Sequence, residues 1–135
     1  RLVDALASSD RERLLQMTAP LFQHLSKDHS ITHFYFTSPQ RVNLLRVHQP
    51  QRYKDTIDRK TLLIAESSGR MSSGLEMGPI GTLTLRVVSP WFKEGVLVGY
   101  VELGTEIEHL VSKLPTLFGL QATVFLNKSM LHQKD

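Results

Sequence analysis

No cysteine occurs in the 135 residues. That absence removes thiol nucleophiles, zinc–thiolate and iron–sulfur sites and haem attached through C-x-x-C-H, and leaves the redox compartment open. No run approaches the ~18 consecutive apolar residues of a membrane span, and no N-terminal apolar stretch has the form of a signal peptide. Charge of one sign is not concentrated either. Lys and Arg number 16 against 13 Asp and Glu, a formal +3. With no basic run longer than an adjacent pair, the clustered cationic face of a nucleic-acid binder is missing. The eight glycines match neither G-x-G-x-x-G nor the P-loop spacing, so no phosphate-cradling loop is legible.

What is present is the composition of a folded soluble domain, 41% hydrophobic and 21% charged, which excludes a disordered or fibrous chain. The length suits one domain. A chain of this size buries roughly two thirds of its unfolded surface and needs no disulfide or structural metal to stand. Because it starts at Arg1 without a methionine and ends at Gln133-Lys134-Asp135, the chain is expected to be a piece of something longer.

Residues 1–30 are expected to be helical, 31–104 to form the core of an α+β domain, and 105–135 to add a helix and a strand; whether a further module follows is open. Leu14, Met17, Leu21 and Leu25 recur at spacings of three and four, widened by Leu15 and Phe22, which predicts an amphipathic helix capped by Asp10. Pro20 should kink it or start a new segment. Whether Leu2 to Ala7 belongs to the same helix is open. Ile31 to Thr37, rich in β-branched and aromatic residues, predicts a strand, paired through a short connection with a second from Val42 to His48. After a partly helical connection from Tyr53 to Glu66, three antiparallel strands follow at Ser72–Met77, Ile80–Ser89 and Val96–Leu103. A turn separates the last two at Pro90 to Gly95. Thr105 is the expected N-cap of a helix to about Leu114, and 121–126 reads as a last strand. The sheet therefore has five or six strands.

Alternation places Leu83, Leu85 and Val87 on one face and Thr82, Thr84, Arg86 and Val88 on the other. On the second strand it separates Leu45 and Val47 from Leu44, Arg46 and His48. The N-terminal helix is expected to cover the apolar face and the 50–79 connection to arch over the polar one, with a pocket beneath. Arg46, His48 and Arg86 then look the same way. A single arginine on a sheet is ordinarily solvated or half of an internal ion pair, and Glu66, Glu76 and Glu102 are available partners. Several cations meeting together need an anion, and a guanidinium holds a carboxylate bidentately. An acid is the expected ligand. Histidine spacings give no metal site, and no nucleophile, oxyanion hole or acid–base pair is legible, so neither enzyme nor cofactor is expected. Trp91-Phe92 is expected to pack over a core edge instead of stacking a base.

The run Gly78-Pro79-Ile80-Gly81-Thr82-Leu83-Thr84-Leu85-Arg86-Val87-Val88-Ser89-Pro90, followed by Gly95-Val96-Leu97-Val98-Gly99-Tyr100-Val101-Glu102-Leu103-Gly104, resembles the extracytoplasmic Cache domains. These are PAS-like sensors of bacterial histidine kinases, chemoreceptors and diguanylate cyclases. The pattern G-x-L/I-G-x-x-x-x-R-x-x-x-P, a turn, then G-x-x-x-G-x-V-x-L/V-G is similar to that of citrate- and dicarboxylate-sensing kinases. The stretch Thr32 to Pro50 is more similar to the longer double-Cache sensors, and the likeness covers about Pro20 to Asn127. In the citrate and dicarboxylate sensors an arginine and a histidine before a proline, with an arginine in the central strand, hold the carboxylates. The matching positions are Arg46, His48 and Arg86, although Gln49 stands between His48 and Pro50. Tyr53, Tyr100 and Val88 complete the candidate ligand-binding set.

The resemblance implies a long N-terminal helix on a central antiparallel sheet with a pocket on the opposite face. It also implies a non-catalytic, periplasmic sensor portion of an inner-membrane protein, flanked by transmembrane helices in the full-length chain. Its ligand would be a small organic acid or amino acid, and it would form a homodimer through the N-terminal helix. The alternative function is a PAS-like dimerisation or partner-docking module that takes no small molecule.

Overall fold

The computed structural model describes residues 1–78, 82–125 and 127. Two helices open the chain, α1 (Leu2–Ala7) and α2 (Arg11–His29). They part at Ser8 to Asp10, where Ser9 takes a left-handed φ of 53° and the Asp10 carboxylate accepts from the Arg13 amide at 3.0 Å. Asp10 is thus the expected N-cap. The break falls there and not at Pro20, which lies inside α2. The carbonyl that Pro20 leaves without a donor belongs to exposed Gln16, open to solvent, so the helix tolerates the proline.

Among the described residues five strands form one antiparallel sheet in the order β2-β1-β5-β4-β3. They are β1 (His33–Thr37), β2 (Asn43–Arg46), β3 (Ser72–Met77), β4 (Leu83–Lys93) and β5 (Val96–Glu106), with α3 (Lys60–Ser68) between β2 and β3. Two expectations are corrected here. The turn foreseen across Pro90 to Gly95 is only Glu94-Gly95, with φ of 52° and 81°, so Pro90, Trp91 and Phe92 are part of β4. Both positive φ values match the two-residue hairpin whose twist suits the flanking strands. The helix foreseen from Thr105 starts later, as α4 (Ile107–Val111) followed by α5 (Leu114–Phe118), and its N-cap is Glu106. Thr105 is instead the penultimate residue of β5, its hydroxyl donating to the Ser30 carbonyl at 2.6 Å. The strand expected over 121–126 is not formed by residues 121–125, and Leu126 lies outside the described residues.

Each face of the sheet carries its own core. On one, Ala5, Leu6 and Leu14 of the N-terminal helices pack on Phe34, Phe36, Leu45 and Val47. The apolar stripe of β4 behaves otherwise than expected. Leu85 and Val87 are 36% and 38% exposed, because α1 and α2 lie over β2, β1 and β5 and reach β4 only at its Trp91 end. On the other face, α3 contributes Leu62 and Ala65 to a cluster with Ile57, Val88 and Tyr100. The backbone of the 50–59 loop is tied to the edge of β2, Asn43 donating to the Asp55 carbonyl and Ile57 to that of Arg41, both at 2.8 Å. Loop and α3 together roof half of this second face.

Candidate functional site

Between that roof and the sheet lies a cleft of about 270 Å³. Its floor is set by alternation, since Phe34 and Phe36 turn into the core under α2 and send His33 and Tyr35 to the opposite side. Arg46 and His48 reach it from β2 and its end, Arg86 from β4, and Arg59 from the residue before α3. Gly104 lies in the floor opposite both His33 and Arg86, and a Cβ there would stand 3.2 Å from that of His33. Its lack of a side chain keeps the floor low.

Tyr35 is the hub. The guanidinium carbons of Arg59, Arg46 and Arg86 stand 4.7, 5.2 and 5.8 Å from its ring centroid. The electron-rich ring face attracts cations, more so where water is excluded, and this ring is buried. His48 meets the same ring edge-on at 4.9 Å and lies 4.8 Å from the ring of His33.

Each arginine also has a carboxylate. Arg46 forks onto Asp55, Nη1 to Oδ1 at 2.7 Å and Nη2 to Oδ2 at 2.6 Å, and also donates to the Arg52 carbonyl. Glu102 accepts from Arg86 on one oxygen and from Arg59 on the other. Glu76, 3.9 Å from the Arg86 Nε, is held by the amide and hydroxyl of Thr61 at 2.9 and 2.8 Å. Burial works against the charge of Arg46, but hydrogen bonds to Asp55 and Tyr35 prevail and raise its pKa. The bond to Arg46 holds the Asp55 carboxyl below its usual range.

The histidines go the opposite way. Burial, reinforced by the charge of Arg86, pushes His33 down to about 3, and burial with the charge of Arg46 pushes His48 down to about 4. His48 Nδ1 accepts from the Phe34 amide at 3.2 Å, which fixes its proton on Nε2. Chemically, the cleft offers fixed cations, neutral imidazoles and an aromatic platform. Among the described residues no three His, Asp or Glu side chains are placed to hold a metal.

Arg46, His48 and Arg86 thus line one cleft, while the other three candidates stand elsewhere. Tyr53 is exposed on the outer side of the loop, its ring 4.3 Å from the guanidinium of Arg11. Val88 and Tyr100 are buried in the cluster under α3, beside the cleft and not in its lining. His33 and Tyr35 were not singled out in sequence, although the alternation that buries Phe34 and Phe36 carries them to the cleft. Arg59 had no such signal, coming from an irregular connection without a period.

The family model described as "Double sensory domain of two-component sensor kinase" matches residues 1–134. No curated protein matches the chain. The chain superposes on the sensor domain of DcuS from E. coli with a TM-score of 0.58 and 19% identity over 68% of each chain. On the sensor domain of the histidine kinase DctB from V. cholerae the TM-score is 0.66 at 14% identity, covering 82% of this chain and 45% of that one. A domain of a Vibrio parahaemolyticus protein assigned to the sensory box/GGDEF family gives 0.64 at 19%, covering 82% and 49%. At such identities the likeness is one of fold, and the chain spans about half the length of the last two. With nearly its whole length matched by a single family model, this chain belongs to the Cache-type double sensory domains of two-component sensor kinases.

Proposed function

We propose that this chain is the extracytoplasmic, ligand-binding portion of a bacterial membrane receptor and that its ligand is a small molecule carrying a carboxylate. The observation that carries the proposal is the convergence of Arg46, Arg59 and Arg86 around one buried tyrosine at the edge of an accessible cleft. Guanidinium forks match a carboxylate better than any other small anion-bearing group short of phosphate. The sequence likeness to citrate- and dicarboxylate-sensing domains points the same way. The role of the site is binding, with a ligand shifting the population of receptor states. Among the described residues no helix is long and apolar enough to cross a membrane; a receptor of this kind carries its membrane helices in flanking segments of the full-length protein. Exposed Met17 and Leu21 on α2, four residues apart, support a homodimer through that helix.

A second reading has its own observation. Arg46, Arg59 and Arg86 each already hold an internal carboxylate, as in a docking module that takes no small molecule. Thermal melting in the presence of a panel of organic acids and amino acids separates the two. A ligand at ~100 times its dissociation constant adds ~2.7 kcal/mol of stability. The expected result is a clear rise for at least one acid, reduced in Arg46→Gln and in Arg86→Lys, two variants that keep a polar end on a flexible stem. A wild type that responds to no acid, or variants that respond as it does, would favour the docking module.

A further inference from the structure

The counter-ions of the cleft are held in two different ways. Glu102 is 2% exposed and Arg86 3%, so opening that pair for a ligand would strand a charge away from water. Arg46 is 7% exposed, but its partner Asp55 is 49% exposed. Asp55 meets Arg46 fork to fork, the geometry an incoming carboxylate would adopt. The Asp55 backbone is fixed by the bond from Asn43 and by the bridge between Val42 and Thr56. Its side chain can therefore swing outward without moving the loop. Arg52 is close enough for its charge to help keep Asp55 ionised, which offers the displaced carboxylate a new neighbour at the surface. Nearby, the Nε–H groups of Arg59 and Arg86 are buried and have no acceptor among the described residues, so donors stand ready in the same cleft.

We propose that Asp55 occupies the place on Arg46 that the ligand carboxylate takes, so that binding exchanges one carboxylate for another. The inference rests on the carboxylate-sensor reading above and assigns its entry point. Exchange leaves the number of ion pairs on Arg46 unchanged, and Asp55 acts as a built-in competitor that sets the affinity threshold. A neutral ligand cannot replace it, because the Arg46 fork would be left buried without an anion.

Calorimetric titration of succinate, citrate and L-glutamate into the wild type, Asp55→Asn, Asp58→Asn and Arg46→Gln, alone and combined with Asp55→Asn, tests this. Asp58 lies in the same loop and lines the same cleft but pairs with Arg41, so it reports the general effect of removing a negative charge. A half-exposed ion pair in competition is worth about a two- to five-fold change in binding. The expected result is that the probe that binds the wild type binds Asp55→Asn about two- to five-fold more tightly, with a smaller gain in Asp58→Asn. In the Arg46→Gln background the Asp55 substitution should bring no more gain than Asp58→Asn does. A wild type that binds while Asp55→Asn binds no more tightly than Asp58→Asn overturns the exchange and leaves the carboxylate-sensor reading standing. If neither the wild type nor Asp55→Asn binds any probe, both fall together.

Discussion

Arg86 and Glu102 form an ion pair with both side chains withdrawn from water, and the second oxygen of Glu102 is held by Arg59 at 2.7 Å. One carboxylate thus neutralises two cations that also crowd the ring of Tyr35. Removing a buried pair's charge on one side leaves the partner stranded, which typically costs ~3–5 kcal/mol. Glu102→Gln should accordingly lower stability by about 3 kcal/mol, read as a fall in the urea midpoint with an unchanged slope. A loss under about 1 kcal/mol would mean that Glu76 or solvent takes over the neutralisation.

Tyr35 should matter through its ring face more than through its hydroxyl. Tyr35→Phe keeps the platform under the three guanidiniums and loses one hydroxyl contact with Arg46, worth about 1 kcal/mol. Tyr35→Leu removes the platform and leaves a poorly filled gap, so about 2–4 kcal/mol should be lost. Equal effects of the two substitutions on the urea midpoint would show that the ring contributes only volume.

Gly99 supplies a test of the sheet itself. Its φ is 148°, and an added Cβ would fall 2.4 Å from the carbonyl oxygen of Thr37 on the neighbouring strand. The glycine lies where the pairing of β4 with β5 shifts register beside Trp91, a place where strands commonly use glycine. Gly99→Ala should cost roughly 2 kcal/mol or more, since both backbone strain and a steric clash oppose it. A substitution without effect on thermal melting would mean that β1 and β5 can separate locally at no cost.

Much of this was legible in the chain because strand alternation is a strong signal. Leu45 and Val47 announced one face, Arg46 and His48 the other, and Asp10 marked the helix start. The apolar run Leu83, Leu85, Val87 misled for a physical reason: alternation tells which residues share a face but not how far a helix extends across it. Here α1 and α2 stop short of the β3 side. Arg59 and the pairing of Asp55 with Arg46 escaped notice because irregular backbone has no period, and the partners of Arg59 and Asp55 lie 43 and 9 residues away. Only the folded loop brings them to Glu102 and Arg46.

The two histidines give the last prediction, a pH dependence with a definite sign. In the folded domain His48 and His33 stay neutral until pH falls to about 4 and about 3, whereas in the unfolded chain both take up protons near pH 6.5. Below about 6.5 the unfolded state therefore binds more protons, so stability falls as pH falls. The stabilisation from the neutral rings is complete above that value and is lost progressively towards the folded-state values. Asp55, whose pKa is lowered by Arg46, also loses stabilisation in acid, but only from about pH 5 downward, so the interval from about pH 6.5 to 5 isolates the imidazoles from it. The urea midpoint of the wild type should decline steadily across that interval. In His33→Gln/His48→Asn, where the asparagine can still accept from the Phe34 amide, the decline should be much shallower. A wild-type midpoint that stays flat from pH 7 to 5 would mean that the rings accept protons in the folded cleft despite the three neighbouring guanidiniums, and the electrostatic description of the site would then fail.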